Sequence, residues 1–196
     1  MSTIANPTPT ATTNGLSAAP RLTAEEFVAR YADRRADLVQ GVVMEKPMPG
    51  SQHGKICFRV TLLLGQFVEQ NDLGHVMIND TTIVVARDPD TARGADVLFI
   101  RYERLAKNAV TSGPLTVPPD LVVEVRSSSD RWTEILEKVA EYLNAGVTAV
   151  VVLDPPTASA TIYRADERQR VVEADGELTL PDLLPGFSVR VGKFFE

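Results

Sequence analysis

Two stretches, Arg93-Gly94-Ala95-Asp96-Val97-Leu98-Phe99-Ile100 and Pro119-Asp120-Leu121-Val122-Val123-Glu124-Val125-Arg126, decide how this chain reads. Each is a short apolar run rich in β-branched residues and bounded by Gly or Pro, the pattern of a buried strand rather than a helix. Each also carries an acid, Asp96 or Glu124. A carboxylate inside a buried strand is costly unless it is paired or bound to a cation. Side chains alternate along a strand, so Glu124 and Arg126 share a face, opposite Leu121, Val123 and Val125, and Asp96 shares its face with Leu98 and Ile100. If the strands are neighbours, the carboxylates converge into the oxygen environment that hard divalent cations such as Mg²⁺ or Mn²⁺ prefer. Such an ion lowers the pKa of a bound water and neutralises charge building on a phosphodiester.

Downstream, Ser129 or Asp130 is placed to cap a helix whose apolar face is Trp132, Ile135, Leu136, Val139, Ala140 and Leu143, with Gly146 ending it. Residues 147–153 form another buried strand, stopped by Asp154-Pro155-Pro156. Lys138 and Arg131 share one face of that helix, at the edge of its apolar stripe. A lysine aimed at the carboxylates could orient an attacking water, while Arg126 and Arg131 suit phosphate contact, since a guanidinium stays protonated and is a poor base.

Upstream, Thr23-Ala24-Glu25-Glu26 has capping-box spacing and predicts a helix running to about Tyr31. Residues 38–44 read as a strand or hairpin. A longer helix begins near His53, with Ile56, Val60, Leu63, Leu64 and Phe67 at helical spacing and Gly74 ending it. Residues 76–87 are strand-like, and 161–164 and 169–174 suggest an antiparallel extension of the sheet. The tail from Leu184 to Val189 is expected to pack back on the core.

The chain has 196 residues, 44% hydrophobic and 23% charged, which suits one globular domain over 21–196. Residues 1–20 carry no charged side chain and read as a disordered leader. Cys57 is the single cysteine, so no intramolecular disulfide and no cysteine-based zinc site can form, and its expected role is that of a buried small hydrophobe. With no apolar run long enough to span a bilayer, the expected location is the cytoplasm. The net charge of −6 argues against a uniformly basic surface, but acids crowd 166–182 while Arg93, Arg126, Arg131 and Lys138 lie near the two strands, leaving room for a basic groove.

The residues alone also allow a structural role. Asp96 could accept a hydrogen bond at a strand end, and Glu124 could pair with Arg126, Arg131 or Lys138 in a buried ion pair. Lys138 and His53 would then be solvated helix residues, His75 a loop residue, and Asp37 and Asp80 solvent-facing acids.

A longer ordered string weighs against that. Asp37-Leu38-Val39-Gln40-Gly41 is followed by Pro49-Gly50-Ser51-Gln52-His53-Gly54, by Arg93-Gly94-Ala95-Asp96-Val97-Leu98-Phe99, and by Pro119-Asp120-Leu121-Val122-Val123-Glu124-Val125. Then come Ser127-Ser128-Ser129-Asp130-Arg131 and Glu137-Lys138-Val139-Ala140-Glu141-Tyr142-Leu143-Asn144-Ala145-Gly146-Val147. Over 22–195 the chain resembles the Uma-type restriction endonucleases of the PD-(D/E)XK nuclease superfamily. The resemblance implies an α/β fold with a mixed central sheet flanked by helices. It implies a divalent metal held by Asp96, Glu124 and the Val125 carbonyl, and a lysine supplied from the following helix, Lys138. The family's first acidic position falls on Asp37 and a recurrent histidine on His53. Three departures stand out. Ala95 replaces a frequent Pro, Asp37 is one methylene shorter than the usual Glu, and Arg126 occupies a usually apolar position, from which a salt bridge to Glu124 would weaken metal binding.

The expected activity is metal-dependent endonucleolytic hydrolysis of DNA, by Asp96, Glu124 and Lys138, with a homodimer suited to cutting two strands. The alternatives are an inactive module of the same fold that binds DNA or a protein partner, and a nuclease acting on RNA or a structured nucleic acid.

Overall fold

The computed structural model describes residues 21–196; the leader expected at 1–20 lies outside them. Helix α1 (Ala24–Tyr31) opens on a capping box: the Thr23 hydroxyl accepts from the Glu26 N–H, and the Glu26 carboxylate accepts from the Thr23 N–H. Strands β1 (Ala36–Val39) and β2 (Val42–Glu45) follow as a hairpin. Its turn residues Gln40 and Gly41 both have left-handed φ, 50° and 78°, which matches the twist of a tight two-residue hairpin.

Helix α2 (Ser51–Gln70) buries Ile56, Val60, Leu64 and Val68 along one stripe. It stops short of Gly74, the expected terminator. Asn71 ends it by donating from its side-chain amide to the Phe67 carbonyl, and Asp72 turns the chain with φ 52°. Gly74 instead opens β3 (Gly74–Ala86), where a Cβ would sit 2.2 Å from the Ile100 carbonyl oxygen. After β3 come β4 (Thr91–Arg101), β5 (Leu121–Val125), α3 (Trp132–Asn144), β6 (Ala149–Asp154), β7 (Ser159–Tyr163) and β8 (Arg170–Val172). A small hairpin of β9 (Glu177–Thr179) and β10 (Ser188–Arg190), with a closing 3₁₀ turn Val191–Phe194, was not read from the sequence.

The main sheet runs β2-β1-β4-β5-β6-β7-β8, with β3 also paired to β4. β5 and β6 are parallel and α3 connects them; the neighbouring pairs β4–β5 and β6–β7 are antiparallel. On one face α2 packs over Val97, Phe99, Leu121, Val123 and Val151. On the other, α3 packs over Leu98, Ile100, Val122, Val150 and Val152. Helices thus cover both faces of a mixed sheet, the predicted architecture, and the tail residues Leu184 and Phe187 do fold back into the α2-side core.

Two expectations for α3 are corrected. Neither Ser129 nor Asp130 caps it: Arg131 is the flanking residue and offers no side-chain cap, while the Asp130 carboxylate closes the preceding loop by accepting from the Ser127 N–H. The buried stripe is Ile135, Val139 and Tyr142; Trp132 and Leu136 are exposed. Tyr142 faces inward because a polar partner waits there for its hydroxyl.

The strand alternation expected for Asp96 also slips. Ala95, not Asp96, packs with Leu98 and Ile100. Opposite it the β3–β4 register shifts between Ile78 and Thr81, where Asn79 and Asp80 both take left-handed φ. Such a bulge re-aims a neighbouring side chain. Asp80 lies over Gly94, where a Cβ would meet its Cβ at 3.0 Å.

Candidate active site

Asp96 sits where the β4–β5 ladder ends; the last pair is Val97 with Val123. Its carboxylate turns across that gap. Oδ2 accepts from the Val125 N–H at 2.8 Å and lies 3.1 Å from His53 Nε2. His53 reaches it from the first turn of α2 and is 9% exposed, so it is no surface residue. Burial works against the Asp96 charge, yet the His53 contact and the Val125 N–H hold its carboxyl below the usual range. The same hydrogen bond raises His53, against its burial. Arg35 approaches the other oxygen, Oδ1, only to 3.8 Å, and is tied to Asp80 at 3.0 Å.

Glu124, next to Val125 on β5, is also buried. Lys138 donates to its Oε2 at 2.7 Å and the Tyr142 hydroxyl to its Oε1 at 2.9 Å. Lys138 and Tyr142 are four apart on α3, so one helix face delivers both. Burial disfavours charge on Lys138, but Glu124 and Asp37 more than offset it and hold the ammonium protonated well above neutrality. Burial pushes the Glu124 carboxyl up, with the Lys138 charge pulling the other way and Asp96 adding to the push.

Asp37, on β1, is 2% exposed rather than solvent-facing. Three donors hold it: Oδ1 accepts from the Gly94 N–H at 2.9 Å and meets Lys46 Nζ at 2.6 Å, and Oδ2 accepts from Arg93 at 3.1 Å. Arg93 also grips Glu141 of α3 with two nitrogens. Asp37 therefore ties the hairpin to β4.

The expected salt bridge between Arg126 and Glu124 does not form. Arg126 pairs with Asp154 at the end of β6, and its guanidinium lies 5.3 Å from the centroid of the Trp132 ring. Glu124 is thus free of it. Arg131 is exposed at the start of α3 and makes no side-chain hydrogen bond among the described residues. Asp96, Glu124, Val125, Lys138, His53 and Asp37 are gathered into one region, and the two arginines stand apart from its buried centre.

Two members, Tyr142 and Lys46, were not read from the sequence, and Arg93 was read only as part of a basic groove. The spacing of Lys138 and Tyr142 was a usable signal for the first. Lys46, just past a short hairpin, carries none.

The set suits a hard dication. Asp96 and Glu124 supply carboxylate oxygens from neighbouring strands. Arg126 N–H and Ala149 N–H bond the Leu153 and Asp120 carbonyls, so even-numbered residues of β5 face β6. Val125 therefore turns its carbonyl toward β4, beyond the Val97–Val123 pair that ends the ladder, in position for a ligand. His53, Cys57 and Asp96 also bring ligand atoms within 4.8 Å of one another. Burial pushes the Cys57 thiol up to about 12, so it stays neutral and that trio is the poorer site.

Comparison with known proteins agrees with this fold. The family model Uma2, described as "Putative restriction endonuclease", matches residues 24–192. A crystal structure described as a putative nuclease belonging to DUF820, from Anabaena variabilis, has a TM-score of 0.77 to this chain. That match covers 89% of this chain and 97% of the other at 17% sequence identity, a likeness of fold. No curated protein matches the sequence.

Proposed function

The chain belongs to the Uma2 family, whose description is "Putative restriction endonuclease", and on that premise we propose that it is a divalent-metal-dependent endonuclease that hydrolyses DNA phosphodiester bonds. The observation that carries this reading is the pair of buried carboxylates, Asp96 and Glu124, on adjoining strands with the Lys138 ammonium 2.7 Å from one of them. Asp96, Glu124 and the Val125 carbonyl would hold Mg²⁺ or Mn²⁺. A dication bound there makes water more acidic and offsets charge growing on the phosphoryl group.

The other residues have distinct tasks. Lys138 is an ammonium at neutral pH, so it orients water and stabilises negative charge rather than removing a proton. His53 fixes the Asp96 carboxylate through Nε2, and Tyr142 fixes Glu124. Arg131, exposed at the start of α3, is left to contact a backbone phosphate, whereas Arg126 is paired with Asp154. Asp37 acts through its cationic partners, not on the metal. A homodimer would present two such sites to two strands. The free thiol of Cys57 suits the reducing cytoplasm.

One observation favours a second reading. Lys138 and Tyr142 already satisfy Glu124, which would suit a catalytically inactive module that binds DNA or a protein. Supercoiled plasmid incubated with Mg²⁺, Mn²⁺ or EDTA, with wild type and Asp96→Asn purified in parallel, separates the two. Nicking by wild type alone, suppressed by EDTA, is expected. Equal nicking by both proteins would sink the nuclease reading. So would Mn²⁺ binding by calorimetry without cleavage of any DNA or RNA offered.

A further inference from the structure

Lys46 is a charged group in this region to which the reading above gives no contact with substrate. It directly follows β2, and its backbone N–H donates to the Arg35 carbonyl, so its position is fixed by the hairpin. Its Nζ lies 2.6 Å from Asp37 Oδ1 while the side chain keeps 21% exposure. Lys46 shares that carboxylate with Arg93 and the Gly94 N–H, so Asp37 holds the ammonium in place without being its sole charge partner. Burial and the like charge of Lys138 both push the Lys46 ammonium down, against the pull of Asp37 and Glu124. Two ammonium groups, Lys46 of the hairpin on Asp37 and Lys138 of α3 on Glu124, are thus held in one region, each also attracted by the other's carboxylate, despite mutual repulsion. Repulsion of that kind is relieved by an added anion. Lys46 retains the solvent access through which one can arrive.

We propose that Lys46 binds a non-bridging oxygen of a DNA backbone phosphate at the cleavage site, with Asp37 as the residue that positions it. This rests on the nuclease reading and assigns the hairpin to substrate binding. An ammonium point charge on a phosphate oxygen needs no planar, two-pronged geometry, so lysine suffices where arginine would be demanded for a bidentate grip. The family's first acidic position would then act on substrate through a cation rather than on the metal.

The test is DNA binding by fluorescence anisotropy, in Ca²⁺ to hold the complex uncleaved, across a series of salt concentrations. Wild type, Lys46→Met, Lys46→Gln and Lys46→Arg are compared, with circular dichroism reporting the fold. Losing one phosphate contact should reduce the slope of log affinity against log salt by about 0.9. Both neutral variants are expected to show that reduction and weaker binding, and Lys46→Arg to recover the wild-type slope. Lys46→Gln keeps a donor for Asp37, so it carries the prediction should Lys46→Met fail to fold. A wild-type slope in a folded neutral variant overturns the role of Lys46 while leaving the nuclease reading intact. Absence of salt-dependent binding by wild type overturns both.

Discussion

Tyr142 donates its hydroxyl to Glu124 Oε1 at 2.9 Å from a side chain with 0% exposure. The ring belongs to the α3-side core, and the oxygen alone reaches the site. Tyr142→Phe removes that oxygen and nothing else, leaving Glu124 one donor short. The expected cost is about 1–3 kcal/mol of stability, read by thermal or urea denaturation. Groups that orient a metal ligand also tune its affinity, so Mn²⁺ binding by calorimetry should weaken by about tenfold. Unchanged Mn²⁺ affinity would show that the hydroxyl serves the core only.

Asp37 makes a pH-dependent contribution. Burial raises its carboxyl, but the Lys46 and Lys138 charges and the Gly94 N–H bring it below its ordinary 3.8. The unfolded chain therefore takes up this proton at a higher pH than the folded one. The stabilisation is complete above about pH 4 and is lost as pH falls through the folded value. Asp37→Asn should cost about 3 kcal/mol at pH 7, because Lys46 and Arg93 lose a buried partner. Urea denaturation at pH 7 and pH 3 should show the gap to wild type narrowing at the lower pH. A gap that widens in acid contradicts this account.

Arg126, paired with Asp154, is expected to act as a structural cation. Its partner Asp154 is buried, so Arg126→Met leaves that carboxylate with Thr157 as its remaining side-chain donor. Stability should fall by about 3 kcal/mol. Mn²⁺ affinity, read separately by calorimetry, should stay at the wild-type value, since Glu124 gains and loses no contact. A marked change in metal affinity would mean that the two regions are coupled.

The contrast between Glu124 and Arg126 explains what could be read from the sequence. Glu124 announces itself, because an acid within Leu121-Val122-Val123-Glu124-Val125 violates the composition of a buried strand and so must have a local reason. The partner of Arg126 lies 28 residues away on β6, and no local pattern identifies it. Tyr142 was hidden by its neighbours: Trp132 and Leu136 suggest an apolar stripe that the helix leaves in solvent. The β3 bulge opposite Asp96 was equally silent, since Asn79 and Asp80 look like ordinary loop formers inside a strand-like run. β9 and β10, three residues each, are too short for periodicity to reveal. The central strands and the order β5–α3–β6 were legible because each rests on hydrophobic pattern and terminators alone.

The seam between β4 and β5 has a kinetic corollary. Glu124, Lys138 and Tyr142 lie within one contiguous strand-and-helix unit, which can organise through contacts of short sequence separation. Asp96, His53 and Asp37 come from outside it, and they meet Glu124 only once β4 has closed a long connection to pair with β5. A dication site built from these residues, as proposed, would therefore be a property of the finished molecule. An ion that needs both halves cannot nucleate folding; it acts on the native state by mass action, slowing its loss rather than speeding its formation.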